Sequence, residues 1–320
     1  MNDSFAYVIA ADGTAVRLAD PVAPCPAGGQ ALVWRHFDGT DEAAANWLAA
    51  RGDVPETVVG AMHAMETRPR ASRFGDGVLV NLRGVNQNPD ADPDDLVSIR
   101  LWVTAHEIVS INFRPLLATS DMRDVLNTGA IRDAGDFLVE LADVLTQRLD
   151  RVLDDLSGSL GCLETDVIEG VGKHLRSRIG KVRRTAIELR RYIAPQREAL
   201  SQLATGNYPF FDESDRQNLA EAAHSVSRIV EEIDSLGAQA AVLADQLSDI
   251  RSEAVAKRTL VLSIVSSIFL PLTFVTGLLG MNVAGIPFAH EPWAFAAIML
   301  VNGLLAVAVL LYLRRRGWFG

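Results

Sequence analysis

Two long stretches without a charged residue lie near the C-terminus of this 320-residue chain. They span residues 259–280 and 293–313, which is 22 and 21 residues. About 20 apolar residues in a helix cross the roughly 30 Å of hydrocarbon in a bilayer, so each stretch is long enough to do so. A single stretch could also be the core helix of a soluble protein. Two in tandem, joined by residues 281–292, predict a membrane hairpin of two helices, TM1 and TM2.

Basic residues flank this hairpin on the sides away from its joining loop. Lys257 and Arg258 precede TM1, and the tail 314–320 opens with three arginines, whereas the loop 281–292 has no lysine or arginine. Because basic residues concentrate on the cytoplasmic side of membranes, we expect both termini in the cytoplasm and the loop outside. The prediction is a multi-pass protein of a bacterial-type inner membrane, with the lipid bilayer as a partner.

The chain as a whole is acidic. It has 40 Asp and Glu against 30 Lys and Arg, which gives a formal net charge of -10. An acidic surface attracts metal cations and repels nucleic acid. Divalent cations are therefore expected partners, and nucleic acid is not.

Upstream of TM1 the sequence predicts both strands and helices. Alternating or continuous apolar residues predict strands, and apolar residues at helical spacing predict helices. The predicted strands are 78–82, 97–103 and 108–111, and the predicted helices are 41–50, 55–66, 135–170, 174–205 and 212–279. The fold class is an α+β membrane protein with a cytoplasmic α/β domain (1–130), a helical bundle and stalk (131–258), TM1 (259–280), an external loop (281–292), TM2 (293–313) and a basic tail (314–320).

Enzyme motifs are missing from the sequence. We find no phosphate-binding glycine loop, no Gly-x-Ser-x-Gly and no His-Glu-x-x-His. The six histidines are scattered, which favours surface or packing roles over metal ligation. Cys25 and Cys162 are too few for a disulfide framework or a thiolate zinc site. We therefore predict that the protein is not an enzyme and holds no tightly bound cofactor.

Small and hydroxyl residues form one stripe along TM1. At about 100° per residue, the stripe is about 80° wide and carries four of the six hydroxyl groups of TM1. Continued back into the stalk, it reaches Asp245. Its members within TM1 are Thr259, Ser263, Ser266, Leu270, Thr273 and Gly277.

Two interpretations of this stripe stay open. Small residues allow transmembrane helices to pack closely, and hydroxyl groups at membrane depth also suit the wall of a water-filled pore. Because two spans cannot enclose a pore, a pore needs several copies of the chain, which would turn each stripe residue into a ring of oxygens.

Two other groups are candidate metal contacts. His290 and Glu291 lie in the external loop, where an imidazole and a carboxylate could contact a cation. Asp92, Asp94 and Asp95 form an acidic turn that is a candidate regulatory metal site, although such turns are commonly only solvated.

The end of TM1 carries a recognisable motif. Gly280-Met281-Asn282 directly follows residues 269–277 (FLPLTFVTG) and precedes a second terminal span and a basic tail. In this arrangement the chain resembles the CorA superfamily of divalent-cation transporters. Residues 282–287 (NVAGIP), 66–73 (ETRPRASR) and 190–197 (RRYIAPQR) are similar to its ZntB-like zinc-transporter branch. Met281 departs from that branch, which often has Val or Ile here, and matches the magnesium-transporting form.

The resemblance implies a funnel-shaped homopentamer with a pore lined by TM1. By position, Asn282 would bind the hydrated cation at the outer mouth, with Gly280 and Met281 shaping that loop. Thr273 and Leu270 would line the upper pore, and Asp245 the cytoplasmic funnel. The implied function is transport of Zn²⁺, with proton-coupled uptake as one form of it and Mg²⁺, Co²⁺, Ni²⁺ and Cd²⁺ as further candidate ions. A Mg²⁺/Co²⁺ channel of the CorA type and a non-transporting, metal-sensing membrane scaffold are the alternatives.

Overall fold

The computed structural model describes residues 4–24, 31–64, 68–86, 95–170, 174–281, 286, 288, 291–316 and 318. The chain divides into two compact units, Met1–Ala244 and Asp245–Gly320. The first unit contains a mixed sheet with helices on both faces. The second consists mainly of helix in its described residues.

The sheet of the first unit has seven strands in the part of the chain described above. They are β1 (Phe5–Ile9), β2 (Ala15–Arg17), β3 (Leu32–Asp38), β4 (Arg70–Phe74), β5 (Gly77–Val85), β6 (Leu96–Val103) and β7 (Glu107–Asn112). Their order is β2-β1-β3-β7-β6-β5-β4. Strands β3 and β7 are parallel, with Val33 opposite Glu107, and the other neighbouring pairs are antiparallel.

Helices flank the sheet and continue into the second unit. They are α1 (Glu42–Ala49), α2 (Glu56–His63), α3 (Leu117–Leu126), α4 (Ala134–Ile168), α5 (Leu175–Thr205), α6 (Glu213–Leu279) and α7 (Ala294–Arg315). Aspartates cap two of them, because Asp41 accepts from the N–H of Ala43 and Asp133 from the N–H of Asp136. Helix α5 ends at Gly206, whose extended backbone stops the helix.

Different helices pack on the two faces of the sheet. Helices α1 and α2 bury one face through an apolar cluster that includes Leu48, Met62, Leu79 and Trp102. Helix α4 covers the other face, where the Phe137 ring lies 5.0 Å from the ring of Trp34. Side chains alternate between the two faces along every strand, which fixes the register of the sheet.

Polar side chains inside the first unit are paired with one another. His36 lies with Nδ1 2.8 Å from Ser110 Oγ and Nε2 3.0 Å from Asn112 Oδ1. Burial lowers the pKa of His36 to about 4, so the imidazole is neutral at pH 7. This confirms a packing role for this histidine. Arg35 Nε donates to Glu107 Oε1 at 2.7 Å, which pairs the two charges in the core.

The structure confirms the main sequence-based predictions of secondary structure. The three predicted strands correspond to β5, β6 and β7, and the three long helices to α4, α5 and α6. Helix α2 ends at His63, three residues earlier than predicted, because Ala64 has an extended backbone. Strands β1, β2, β3 and β4 and helix α3 were not among the elements predicted with bounds from the sequence.

Candidate functional site

Two helices contain apolar windows long enough to cross a membrane. They are α6 and α7, with mean hydropathies of 2.0 and 2.5 over the best window, and neither window is buried inside the chain. The membrane segment of α6 corresponds to TM1, and α7 corresponds to TM2. Uncovered apolar helices of this length fit a lipid environment.

One face of TM1 is partly shielded within the second unit. The half-buried residues between 261 and 279 are Ser263, Ile264, Ile268, Pro271, Leu272, Val275 and Leu279. Apart from Ser263, they lie between about 120° and 220° on a helical wheel that starts at Thr259. Because α7 is the other described helix of this unit, this apolar face is the one turned towards α7.

The stripe lies on the opposite face of the helix. Thr259, Ser266, Leu270, Thr273 and Gly277 are all exposed, and Leu270 has 71% of its surface accessible. Packing against α7 therefore does not explain the small and hydroxyl residues of the stripe. In a membrane this exposed face would meet lipid, water or another copy of the chain.

Helix α7 presents a matching shielded face. Its buried or half-buried residues are Ala294, Ala297, Ile298, Asn302, Leu305, Ala306, Val309 and Leu313. Successive members are one, three or four residues apart, which places them on one side of the helix. Asn302 is 9% exposed, and its Oδ1 has no hydrogen-bond partner among the described residues. Asn302 was not among the residues predicted from the sequence, although a single amide in an apolar membrane span is an identifiable signal.

The hydroxyl groups of TM1 are held by the helix itself. Thr273 Oγ1 donates to the carbonyl of Phe269 at 2.8 Å, and Thr276 Oγ1 donates to that of Leu272 at 2.9 Å. Each hydroxyl oxygen keeps lone pairs that can accept from water. Pro271 has no N–H, so the carbonyl of Ser267 has no i+4 helical donor. Hydroxyl and carbonyl oxygen atoms that can accept a hydrogen bond from water are therefore present midway along TM1.

The motif at the end of TM1 is only partly described. Gly280 donates its N–H to the carbonyl of Thr276 at 2.9 Å, and a Cβ at Gly280 would lie 2.9 Å from that same oxygen. Met281 is exposed. Asn282 and His290 lie outside the described residues. Glu291 is exposed, and its carbonyl accepts from the N–H of Ala294 at the start of α7.

A groove runs along the other end of the stripe. Its volume is about 670 Å³, and its lining includes Ser252, Thr259 and Ser263 of the wheel face and Trp318 of the basic tail. Asp245 is exposed seven residues before Ser252 and falls on the same wheel face. The structure thus keeps the predicted stripe residues from 245 to 277 on one helix face.

Three aspartates of the first unit come together far from the stripe in sequence. One carboxylate oxygen each from Asp133, Asp136 and Asp215 lies within 4.8 Å of the others. Asp133 begins α4, and Asp215 lies in the first turn of α6. The two helices were predicted from the sequence as 135–170 and 212–279, but nothing in the sequence indicates that their starts meet. Oxygen ligands of this kind suit hard cations.

The surroundings of Asp215 disfavour its ionised form. Burial raises the pKa of Asp215 to about 6, and the negative charges of Asp133, Asp212 and Asp136 add to the effect. The N–H of Asp212 donates to Asp215 Oδ2 at 2.9 Å and acts in the opposite direction. A bound cation or proton would relieve this repulsion.

The predicted acidic turn is described only at its end. Asp92 and Asp94 lie outside the described residues. Asp95 is paired with Arg114 Nη1 at 2.5 Å and accepts from Asn86 Nδ2 at 3.0 Å. These contacts lower the pKa of Asp95 and give it a structural role.

Comparisons with known proteins agree with this architecture. The family profile described as CorA-like Mg²⁺ transporter protein matches residues 29–315. The zinc transport protein ZntB of Yersinia enterocolitica is 35% identical over 286 residues, which cover 89% of this chain and 87% of that protein. The residues matched by the family profile include both apolar helices.

Solved structures of full-length proteins share the fold of this chain. The full-length CmaX protein is 31% identical, has a TM-score of 0.84 and is matched over 98% of both chains. The CorA magnesium transporter from Methanocaldococcus jannaschii has a TM-score of 0.85 over 99% of this chain and 100% of that one. At 17% identity the latter likeness concerns the fold alone.

Proposed function

We propose that this chain, which belongs to the family of CorA-like Mg²⁺ transporter proteins, carries Zn²⁺ across a membrane. The function is divalent-cation transport, and the protein is not an enzyme. The choice of zinc rests on the similarity to zinc transport proteins over most of the chain. The observation that carries a transport role is the stripe of TM1, which faces away from α7.

The pore would be built from several copies of the chain. Two helices cannot surround a water-filled path, and the stripe lies opposite the half-buried apolar face of TM1. A homopentamer with a central ring of TM1 helices would line a pore with Thr273, Ser266, Ser263 and Thr259. The apolar faces of α6 and α7 would then pack against each other, and the outer surface of α7 would meet lipid. In this arrangement both termini and the first unit are cytoplasmic, in a bacterial-type inner membrane.

The cation would cross largely hydrated. The stripe contains no His or Cys, the ligands that bind Zn²⁺ most strongly, so it offers hydroxyl and carbonyl oxygens instead. We assign the outer cation contact to Asn282, with Gly280 and Met281 shaping the mouth and His290 and Glu291 beside it. Neutral oxygen rings hold an ion through its water shell without trapping it. Leu270 would line the upper pore with Thr273, and Asp245 the cytoplasmic funnel.

A Mg²⁺ or Co²⁺ channel is the second candidate. Met281 gives the loop the Gly-Met-Asn form, and an all-oxygen path suits Mg²⁺, which loses its water shell reluctantly. Ni²⁺ and Cd²⁺ are further candidate ions. Proton coupling is the mechanism we propose for zinc uptake, although the stripe within TM1 has no carboxylate to relay a proton.

The deciding experiment is cation flux into proteoliposomes that contain the purified chain. Zn²⁺ and Mg²⁺ entry are measured separately, with and without an inward proton gradient. We expect Zn²⁺ entry that grows with the gradient. Mg²⁺ entry driven by voltage alone would assign the chain to the magnesium channels, and no flux of either ion would favour a metal-sensing scaffold.

A further inference from the structure

A groove lies between α4 and α5 in the first unit. Its volume is about 710 Å³, and residues of both helices line it. Val152 and Leu163 of α4 and Val182 of α5 are each more than nine-tenths buried and give the groove an apolar lining. The exposed free thiol of Cys162 lies in the lining as well. The groove is therefore open, partly apolar and large enough to receive a side chain.

The unpaired charge at this groove is acidic. Arg178 Nη1 of the lining is paired with Asp166 at 2.7 Å, and Lys181 also has a partner. Asp154 and Asp155 line the groove too, are exposed, and form no ion pair within the part of the chain that the structure describes. The groove thus offers two carboxylates to a basic partner.

A glycine leaves space at the α4 side of the groove. Gly158 lies within α4, and no atom of the described chain lies within 4 Å of the position that a Cβ there would take. Glycine inside a helix is less stable than alanine, and no contact within the chain requires it here. The missing side chain allows the backbone of another helix to approach closely.

The opposite side of α5 carries the complementary chemistry. Ile187 is 56% exposed, and Arg183 and Arg184 beside it are exposed and form no ion pair with the described residues. On a helical wheel both arginines lie within about 60° of Ile187, whereas the groove-lining residues of α5 lie about 120° to 220° away. We call these three residues the Ile187 face. It points away from the groove of its own chain.

We propose that the groove of one copy of this chain receives the Ile187 face of a second copy. Ile187 covers the apolar lining, and Arg183 and Arg184 meet Asp154 and Asp155. Burial of Ile187 supplies most of the stabilisation. The exposed ion pairs contribute little free energy and mainly direct the fit.

The placement of the two surfaces favours a ring of copies. Because they lie on opposite sides of one hairpin, each copy can offer its groove to one neighbour and its Ile187 face to the other. Such a heterologous contact generates a closed ring when the rotation between copies closes. The proposal rests on the multi-copy assembly of the proposed function and adds a contact within the first unit.

Disulfide crosslinking of the full chain in detergent tests this contact. Cys25→Ser leaves Cys162 of the groove as the only thiol, and Ile187→Cys adds a second on the opposite face. Copper(II) phenanthroline oxidises adjacent thiols to a disulfide. Disulfide-bonded Cα atoms lie within about 7 Å, and a helix is about 10 Å wide, so these positions link only between copies. We expect dimers, trimers and larger products on a non-reducing gel, because every copy carries both thiols.

Two controls share the Cys25→Ser background. With Cys162 as the only thiol we expect monomers, and dimers would show that two grooves face each other, which overturns the proposal. Val16→Cys places a thiol at a similarly exposed position of β2 and should give no linked products. The proposal is also overturned if Ile187→Cys links no better than Val16→Cys.

The groove and the charges are tested on the same crosslink. Gly158→Leu fills the groove without a clash inside the chain and is expected to abolish linking. Arg183→Glu with Arg184→Glu should slow linking at least about fivefold, and adding Asp154→Arg with Asp155→Arg should restore it. Linking that none of these changes affects would refute the contact.

Flux and size of the same proteins separate this proposal from the proposed function. Oligomers that transport Zn²⁺ but give no link between Cys162 and position 187 would refute the contact alone. Linked oligomers that transport no cation would support the contact and refute transport.

Discussion

Replacing Asp215 with asparagine should stabilise the protein, in a way that depends on pH. Asp215 is 5% exposed at the start of α6, and its pKa is raised to about 6 by burial and by neighbouring aspartates. In the unfolded chain its pKa returns to the ordinary value of 3.8. Asparagine keeps an oxygen that can accept from the N–H of Asp212 and fits the space beside Gly135, where Asp215 is close.

The magnitude follows from the difference between the two pKa values. About two pKa units at 1.36 kcal/mol each give about 3 kcal/mol of unfavourable free energy when Asp215 is ionised in the folded state. The folded protein binds the proton more tightly, so this cost is fully present above about pH 6. It falls as the pH decreases from about 6 to about 4 and is absent below. Asp215→Asn should therefore add up to about 3 kcal/mol at pH 7.5 and little at pH 4.

Thermal unfolding of the native chain and of the variant, in the same detergent between pH 4 and 7.5, measures this difference. For a unit of this size about 3 kcal/mol corresponds to a rise of about 6–12 °C in the melting temperature. Asp76→Asn, a change at an exposed turn, is the control and should leave it unchanged at every pH. The reasoning is refuted if Asp215→Asn lowers the melting temperature at pH 7.5, or raises it equally at all pH values.

Three further variants test the transport path and the core of the first unit. Asn282→Ala is expected to assemble normally and to lose cation flux in proteoliposomes, and unchanged flux would remove Asn282 from the path. Thr273→Val should reduce Zn²⁺ flux about tenfold, equal to about 1.4 kcal/mol of barrier, because it removes a stripe hydroxyl. Thr276→Val removes a similarly bonded hydroxyl off the stripe and should retain flux, so equal losses would contradict the pore assignment. Glu107→Gln should lower the free energy of unfolding, measured by urea denaturation, by about 3 kcal/mol, because Arg35 loses its buried partner charge. A urea midpoint equal to that of the native chain would show that this ion pair is dispensable.

Much of this fold could be predicted from the sequence because its elements have local causes. The uncharged length of α7 and the uninterrupted apolar spacing of α6 are visible without any tertiary information. Strand β6 alternates in sequence, and that pattern alone identifies it. Strand β4 escaped prediction because its sequence, RASRF, is mostly polar and is ordered by pairing with β5.

The candidate sites were less predictable, because they depend on residues that only tertiary structure brings together. Asp133 and Asp215 are 82 positions apart. Each is explained by its own position at a helix start, so the sequence gives no sign that the two carboxylates meet. The stripe of TM1 was predictable because one continuous helix carries all its members, so periodicity alone orders them.

The two faces of TM1 together favour assembly over a solitary hairpin. The face towards α7 is apolar, so the hairpin closes by packing and needs no polar contact from the stripe. In a single copy the opposite face would present Thr273, Ser266 and Thr259 to hydrocarbon, where hydroxyl groups gain nothing beyond the bonds to their own helix. Bringing several copies together around these faces removes the hydroxyl groups from lipid and places them beside one another or beside water. The stability of the assembly and the path for a hydrated cation would thus arise from the same residues.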